Sequence, residues 1–260
     1  MSHSEHGYPL AAEISPRLHV VDSVDSTNAK LLRDVVGEPD GHPHLAVVVT
    51  RDQTAGRGRL DREWTTPPGT ALAVSTLLRV GAVPTAARGW IPLVAGAAMT
   101  SAVAAQLSGK DVALKWPNDV LVGGLKISGI LAEVSPADPQ AVVVGAGVNT
   151  KMTASQLPVP TATSFAALGA EVDEDRLLAD YLAALRDGVA ALAVGGAGFD
   201  ELRERVAAAC ATVGAEVSVS LPGGTTLLGR AARLDGDGRL IVVAGGAEHA
   251  VAAGDVVHVR

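Results

Sequence analysis

The sequence predicts an α+β protein in two parts, a larger part that mixes strands with helices and a small all-β domain that follows it. Hydrophobic residues make up 48% of the 260 residues and aromatic residues only 3%, so we expect a sizeable core of small aliphatic side chains. Between residues 18 and 211, β-branched runs alternate with alanine-rich stretches, which is typical of buried strands and of helices. After residue 212 the apolar runs become short, and glycine-rich turns separate them.

Apolar, mostly β-branched runs predict the strands of the larger part. They cover residues 18–21, 45–50, 71–80, 112–116, 120–122, 125–134 and 141–149. We expect a hairpin around Gly123-Gly124, because these two residues form a connection of the primed-turn kind. Residues 52–70 are rich in Gly, Arg, Thr and Pro and predict a long loop, and loops of that length are often functional.

Alanine-rich stretches predict the helices of the larger part. They cover residues 29–36, 90–107, 164–168, 173–192 and 199–211. The first helix follows Asp25-Ser26-Thr27-Asn28, a string of good N-cap residues, and it ends at Gly37 and Pro39. We therefore divide the chain into a flexible N-terminus over 1–17, a main domain over 18–211 and an all-β domain over 212–260. Turns spaced by about 8–12 residues predict a small barrel for this last domain.

Charge and composition exclude several classes of protein. The formal net charge is −7, whereas proteins that bind duplex DNA usually carry a basic surface, so no nucleic-acid partner is expected. No apolar run approaches the length of about 20 residues that a membrane span needs, and the N-terminus lacks the pattern of a secretory signal. The single cysteine, Cys210, cannot form a disulfide within the chain, which favours a reducing, cytoplasmic location. We expect it to be a buried apolar side chain, which disfavours a thioester intermediate.

The segment from Gln53 to Arg59, which reads Gln-Thr-Ala-Gly-Arg-Gly-Arg, is the first candidate for an anion-binding site. The planar guanidinium group of Arg meets carboxylate or phosphate oxygens in pairs, and Gly lets backbone N–H groups approach an anion closely. Arg57 and Arg59 could together clasp a ligand and cover it. A solvated loop is the alternative, since Arg51 and Arg62 lie nearby in an arginine-rich stretch.

The second candidate is the stretch Lys115-Trp116-Pro117-Asn118-Asp119 with the hairpin that follows it. Lys126 stands in an otherwise apolar strand, where an unpaired ammonium group is costly, so it needs an anionic partner. Gly129 weakens the same strand unless another group must come close to it. Asp119 is the nearest carboxylate. It could hold Mg²⁺, orient Lys126, accept a proton or serve only as a turn residue, and the lysines could be solvated strand-edge residues.

Other well-known site patterns are missing from the sequence. Residues 145–150, Gly-Ala-Gly-Val-Asn-Thr, lack the third glycine and the following helix of a dinucleotide-binding fingerprint. The sequence has no P-loop, no Gly-x-Ser-x-Gly elbow and no histidine pair at helical metal-ligand spacing. These patterns therefore assign no function to the chain.

Five motifs, in the same order along the chain, resemble those of the biotin protein ligases. They are Ser26-Thr27-Asn28, Gln53 to Arg59, Lys115 to Asp119, Lys126 to Leu131 (Lys-x-x-Gly-Ile-Leu) and Gly145 to Asn149 (Gly-x-Gly-x-Asn). The resemblance implies a mixed-sheet, class II synthetase-like ligase domain with helices, followed by a small SH3-like β-barrel. It also implies a reaction in two steps: biotin and MgATP give biotinyl-AMP and pyrophosphate, and the adenylate then acylates one lysine of a biotin carboxyl carrier domain.

The resemblance also implies roles for individual residues. ATP with Mg²⁺ and biotin would be substrates, and no tightly bound prosthetic group is expected. The biotin side of the site would contain Ser26, Thr27, Asn28, Gln53, Gly56, Arg57, Gly58, Arg59, Lys126 and Gly129. The ATP side would contain Arg59, Trp64, Lys115, Asn118 and Asn149. The catalytic residues would be Lys126, Arg57, Arg59 and Asp119, where Asp119 is the candidate acceptor of the carrier lysine's proton and the one expected protein contact of Mg²⁺.

Two departures from the family pattern change what we expect. The chain reads Leu60-Asp61-Arg62-Glu63 where many relatives continue with Gly-Arg, so closure of the loop over the adenylate is expected to differ. Residues 1–17 are too few for the N-terminal winged helix of many bacterial relatives, so no repressor function is expected. Residues 56–69 are expected to be mobile without ligand, because glycine and unpaired arginine give little packing.

Three rival functions remain open. A lipoate or octanoyl ligase would share the architecture, although the forms of Gln53–Arg59 and Lys115–Asp119 favour biotin. A biotin-sensing module would bind biotin without making an adenylate, but the urea ring alone needs neither Lys126 nor Arg59. A nucleic-acid binder that uses the arginine-rich loop is the third alternative.

Overall fold

A large mixed sheet forms the centre of the main domain. The computed structural model describes residues 7–60, 62–221, 224–252 and 254–259. The strands of this domain are β1 (Leu18–Val20), β2 (Val47–Thr50), β3 (Gly56–Arg57), β4 (Glu63–Trp64), β5 (Ala71–Arg79), β6 (Val112–Lys115), β7 (Asp119–Val122), β8 (Leu125–Val134) and β9 (Ala141–Asn149). Seven of them form one sheet in the order β1-β2-β5-β9-β8-β7-β6, in which β1 and β2 are parallel and the other neighbours antiparallel.

Helices cover both faces of this sheet. They are α1 (Pro9–Ala12), α2 (Thr27–Gly37), α3 (Ile91–Gln106), α4 (Glu174–Val194) and α5 (Gly196–Ala209). Alternate residues of β9 point to opposite faces: Val143 packs with Leu31 and Val35 of α2, whereas Val142 and Val144 belong to the core that includes α3 and α4. This explains why β5 and β9 read as almost continuous apolar runs, since strands buried on both faces have little use for polar residues.

Five antiparallel strands form the C-terminal part. They are β10 (Glu216–Ser220), β11 (Thr226–Leu234), β12 (Leu240–Ala244), β13 (Ala247–Val251) and β14 (Asp255–His258), in the order β13-β12-β11-β10-β14. A closed barrel, as predicted from the turn spacing, is not confirmed. Among the described residues no ladder joins the edge strands β13 and β14, so the sheet is open.

A turn of the C-terminal sheet binds two buried tryptophans of the main domain. The indole N–H of Trp90 donates to the carbonyl oxygen of Gly236 at 2.8 Å, and that of Trp116 donates to Gly238 at 3.1 Å. The backbone N–H of Trp116 donates to Thr212 Oγ1, which also lies 3.0 Å from Nε2 of His258 in β14. Because Trp116 belongs to the Lys-Trp-Pro-Asn-Asp motif, these bonds fix the C-terminal sheet beside a candidate site.

Several predicted elements differ from the observed ones. The stretch 164–168 is only a short 3₁₀ turn, Ala166–Leu168, because Gly169 ends it in the left-handed conformation. The loop 52–70 contains the two-stranded pair of β3 and β4.

The Gly123-Gly124 turn is confirmed, with φ of 57° and 81°. In the described part of the chain no helix is long and apolar enough to cross a membrane.

The N-terminal segment also differs from the expectation of a flexible region over 1–17, of which residues 1–6 lie outside the described residues. Tyr8 and Ala11 are buried, and the backbone N–H groups of Leu10 and Ala11 both donate to the carboxylate of Asp175 at the start of α4. Burial raises the pKa of Tyr8 to about 12. The polar sequence near the N-terminus could not predict this docking, because the partner, Asp175, lies far away along the chain. The domain boundary near residue 212 stays a prediction.

Candidate active site

A β-bulge in the β7–β8 hairpin presents Lys126. The pairing shifts between Val120, which faces Ser128, and Leu121, which faces Lys126, so that Ile127 is an additional, buried residue. Lys126 Nζ lies 2.6 Å from Asp119 Oδ1, which supplies the anionic partner expected from the sequence.

Gly129 faces Asp119 in the same hairpin and leaves room for the lysine. A Cβ atom at this position would lie 3.1 Å from Lys126 Nζ, tighter than an ordinary contact. The group that must come close to Gly129 in the absence of a ligand is therefore the lysine itself.

Arg59 connects the Gly-Arg segment to the Lys-Trp-Pro-Asn-Asp motif. Its Nη1 donates to Asn118 Oδ1 at 3.1 Å, and Asn118 is held in turn by donating from Nδ2 to the carbonyl of Ile130 at 2.8 Å. Burial lowers the pKa of Arg59, although the nearby carboxylate of Asp119 acts in the opposite direction. A partly buried guanidinium group next to a cavity is poised to receive further negative charge.

A cavity of about 290 Å³ brings the two candidate segments together. Its walls include the predicted site residues Arg57, Gly58, Arg59, Trp64, Lys115, Asn118, Asp119, Lys126 and Gly129. Burial lowers the pKa of Lys115, Asp119 opposes this, and the charges of Lys126 and Arg62 lower it further. Two distant segments therefore bring five cationic side chains to one space: Arg57, Arg59, Arg62, Lys115 and Lys126.

A second, smaller cavity of about 30 Å³ lies beside the first, next to the start of α2. Ser26 caps this helix, with its Oγ accepting from the N–H of Ala29. The backbone N–H and the hydroxyl of Thr27 both donate to Gln53 Oε1, at 2.8 and 3.1 Å. Asn28 lies across Gly145, where a Cβ atom would collide with its amide oxygen. These residues form a rigid polar wall with hydrogen-bonding groups at fixed positions.

Trp64 separates the two cavities and lines both of them. Its ring packs on Gly147, where a Cβ atom would lie 2.7 Å from the indole, and its centre is 5.9 Å from Lys126 Nζ. The indole N–H is buried and has no hydrogen-bond partner among the residues that the structure describes. The Trp64 ring therefore offers both a flat face and an available donor.

Asn149 and Gly56 lie elsewhere. Asn149 lines neither cavity, and its Nδ2 donates to the carbonyl of Thr163 at 2.8 Å. Thr163 in turn donates its N–H to the carbonyl of Lys126, so Asn149 supports the lysine from behind. Gly56 lines a third cavity, of about 480 Å³, on the other side of the Gly-Arg segment. The roles assigned to Asn149 and Gly56 stay predictions.

Two groups of cavity residues were missed from the sequence. The cavity of about 290 Å³ is also lined by Asp255, Val256 and Val257 of β14, and Asp255 forms an ion pair with Arg62. Residue 61 of the Leu-Asp-Arg-Glu departure lies outside the described residues. Glu133 was the other omission: it accepts from both Asn28 and Arg57. The sequence of β14 contains no pattern that predicts a site. Glu133 could have been found from the sequence, because alternate residues of a strand share a face and Glu133 therefore lies on the same face of β8 as Gly129.

The described residues around these cavities contain no ready-made cluster of metal ligands. Within residues 7–60, 62–221, 224–252 and 254–259, no three His, Cys, Asp or Glu side chains are clustered as metal ligands. Asp119 is engaged by Lys126, so the predicted contact of Mg²⁺ with Asp119 would need this ion pair to open or be shared.

Comparisons with known proteins agree with this arrangement. Residues 20–149 match the biotin/lipoate A/B protein ligase family. The chain is 38% identical over 246 residues to a biotin–[acetyl-CoA-carboxylase] ligase of Mycobacterium tuberculosis, covering 94% of this chain and 90% of that protein. It is 41% identical over 128 residues to a ligase of the same name from Paracoccus denitrificans, covering 48% and 51%.

A solved structure shows the same fold. The biotin protein ligase from Aquifex aeolicus in complex with biotin and ATP has a TM-score of 0.77 and 24% identity, with 94% of this chain and 99% of that one covered. At this identity the likeness concerns the fold, while the family assignment depends on the matches in sequence. From these matches, the chain belongs to the biotin/lipoate A/B protein ligase family and, within it, to the biotin protein ligases.

Proposed function

We propose that this enzyme activates biotin with MgATP to biotinyl-5′-AMP and transfers the biotinyl group to a lysine of a biotin carboxyl carrier domain. The observation that carries the proposal is the convergence of Arg57, Arg59, Lys115 and Lys126 on one cavity next to a small polar one. The name of the M. tuberculosis relative supports biotin as the substrate and a carboxylase as the acceptor.

In the first step, an oxygen of the biotin carboxylate attacks the α-phosphorus of ATP. A new P–O bond forms, the bond to the β-phosphate bridge breaks, and pyrophosphate leaves. Both reactants are anions, so the step requires fixed positive charge where they meet. Lys126 is assigned to the junction between carboxylate and α-phosphate, Arg57 to the biotin side and Arg59 to the adenylate. Lys126 is bonded to Asp119, Arg57 to Glu133 and Arg59 to Asn118. These bonds would hold the three cations in position before substrate arrives.

In the second step, the neutral amine of the carrier lysine attacks the carbonyl carbon of the mixed anhydride. The C–N bond forms, AMP leaves, and the amine loses a proton. Asp119 is the proposed acceptor of that proton, because its carboxylate lines the same cavity. Its Oδ1 lies 2.6 Å from Lys126 Nζ, so the proposed proton acceptor is next to the cation assigned to the first step. Mg²⁺ is proposed to arrive with ATP, on the phosphate oxygens.

The remaining residues are assigned by position. Ser26, Thr27, Asn28 and Gln53 would hold the biotin head group, with Gly58 and Gly129 allowing close approach. Trp64, Lys115 and Asn118 would face the nucleotide. The C-terminal sheet is proposed to be an SH3-like module whose strand β14 completes the nucleotide side, and the enzyme is proposed to act in the cytoplasm, with no nucleic-acid partner.

Biotin-dependent exchange of pyrophosphate into ATP tests the first step, and labelling of a biotin carboxyl carrier domain tests the second. We expect both with biotin. Exchange that lipoate supports better than biotin would favour a lipoate ligase. Biotin binding without pyrophosphate exchange would favour a biotin-sensing module. If the protein neither binds biotin nor catalyses the exchange, the proposed function is wrong.

Substrates should protect the Gly-Arg segment from trypsin. The side chains of Arg57 and Arg62 are 44% and 61% exposed, so cleavage after them is expected in the free enzyme. Biotin plus MgATP should slow it about tenfold or more, because an adenylate in the cavity would hold the arginines in place. Cleavage after Arg186, an exposed residue of α4, serves as the control and should not change. Equal protection at both sites, or at neither, would contradict the expectation.

A further inference from the structure

One face of β8 supplies groups to three cavities in succession. Side chains two residues apart share a face of a strand, so Gly129, Leu131 and Glu133 follow one another along it. Gly129 lines the cavity of about 290 Å³, Leu131 lines all three cavities, and Glu133 lines the cavity of about 480 Å³ on the other side of the Gly-Arg segment. Leu131 therefore lies where the three cavities meet, and Glu133 follows it on the same face of β8, at the third cavity.

A single carboxylate oxygen of Glu133 accepts two hydrogen bonds from different parts of the site. Asn28 Nδ2 donates to Glu133 Oε2 at 2.7 Å, and Arg57 Nη2 donates to the same atom at 3.1 Å. Asn28 lies on the wall of the small cavity, whereas Arg57 lines all three cavities. We call Asn28, Glu133 and Arg57 the Glu133 bridge.

The two ends of the Glu133 bridge differ in burial and in the number of groups that hold their side chains. Asn28 is buried, and its amide is held by the hydroxyl of Ser75 at 2.5 Å and by the carbonyl of Leu131 at 3.2 Å. Arg57, by contrast, keeps 44% of its side chain exposed, and in the described part of the chain its guanidinium group bonds to Glu133 and to no other residue. Without Glu133 the amide would remain in place, while the guanidinium group would lose its charged partner.

We propose that Glu133 is a positioning residue that aligns Arg57 with the head-group pocket, so that binding of biotin and placement of the cation occur together. This inference rests on the proposed function. The physical reason is that a charge-assisted bond to a half-buried carboxylate selects one guanidinium orientation from many. Because Asn28 donates to the same oxygen, Glu133 would hold the Arg57 guanidinium group at a fixed position relative to the wall that would bind the urea ring of biotin.

The experiment compares Glu133→Ala and Glu133→Gln with the parent enzyme, measuring biotin affinity by calorimetry and the KM values for biotin and ATP in pyrophosphate exchange. We expect Glu133→Ala to weaken biotin binding about tenfold, as loss of a charge-assisted bond does, with the KM for ATP changed less than about twofold. Glu133→Gln keeps an oxygen for both donors and should have a smaller effect in the same direction. Glu248→Ala removes a comparable Glu–Arg pair on the C-terminal sheet and should have none.

A double-mutant cycle separates positioning from simple structural support. If Glu133 acts through Arg57, then adding Glu133→Ala to Arg57→Ala should cost little more than Arg57→Ala alone. Additive losses, an equal rise in both KM values, or a Glu133→Gln enzyme identical to the parent would overturn the inference. A parent enzyme without exchange activity would instead contradict the proposed function, so the two failures are distinguishable.

Discussion

Lys126→Ala is expected to lower biotin-dependent pyrophosphate exchange by about a thousandfold, the upper range for removal of one fixed electrostatic group from a reaction centre. The change removes the cation assigned to the meeting point of carboxylate and phosphate. It also leaves Asp119, which is now paired at 2.6 Å, as an uncompensated negative charge facing the phosphates. Exchange under saturating biotin and ATP is the measurement.

This loss should not result from unfolding. The side chain of Lys126 is 35% exposed, and partly exposed ion pairs contribute about 1 kcal/mol or less, so the midpoint of thermal unfolding should hardly change. Lys110→Ala, at an exposed lysine outside the cavity, is the matched control and should keep parental exchange. Lys126→Ala with Asp119→Ala should exchange no more slowly than Lys126→Ala alone, since the stranded carboxylate is gone. A Lys126→Ala enzyme within tenfold of the parent would show that the assignment is wrong.

Among the substitutions proposed for this protein, Trp116→Ala should lower the free energy of unfolding the most. Only 2% of this side chain is exposed, and replacement of a buried large aromatic by Ala costs about 3–5 kcal/mol. The indole N–H also donates to Gly238 of the C-terminal sheet, so the change weakens the contact between the two parts of the molecule. The free energy of unfolding in urea is the quantity to measure.

Trp116→Phe distinguishes packing from the hydrogen bond. Phe retains most of the ring but leaves the Gly238 carbonyl without its donor, for an expected cost of about 1–3 kcal/mol. Val194→Ala, at an 84% exposed position, should change stability by about 0.5 kcal/mol or less. If Trp116→Phe were as stable as the parent, the indole bond would contribute nothing to docking of the sheet. If Trp116→Ala were as stable as Val194→Ala, the buried packing would be unimportant.

The sequence predicted most of the strands and helices because their signals are local. The apolar runs of β5 and β9, the N-cap residues before α2 and the paired glycines between β7 and β8 each act within a few residues. The same holds for the site motifs, since Arg, Lys and Gly in those patterns favour anion binding wherever they are placed. The convergence of Arg57 and Lys126 could be predicted only through the family resemblance.

Contacts between distant residues could not be predicted in this way. The β-bulge at Ile127 sets Lys126 against Asp119, and its position depends on pairing with β7 rather than on local propensity. Three other features also join segments that are far apart along the chain. They are the ion pair of Arg62 with Asp255, the packing of Tyr8 beside α4, and the position of Asn149 behind Lys126.

By itself, the sequence determined which chemical groups the protein brings to an anionic ligand, and which stretches are strand or helix, since both follow from residue type and short spacing. The tertiary structure alone decided which of these groups share a cavity and which partner holds each in place. The reason is geometric: sheet order and register place residues such as Glu133 and Asp255 beside the arginine segment, and those depend on the packing of the whole core.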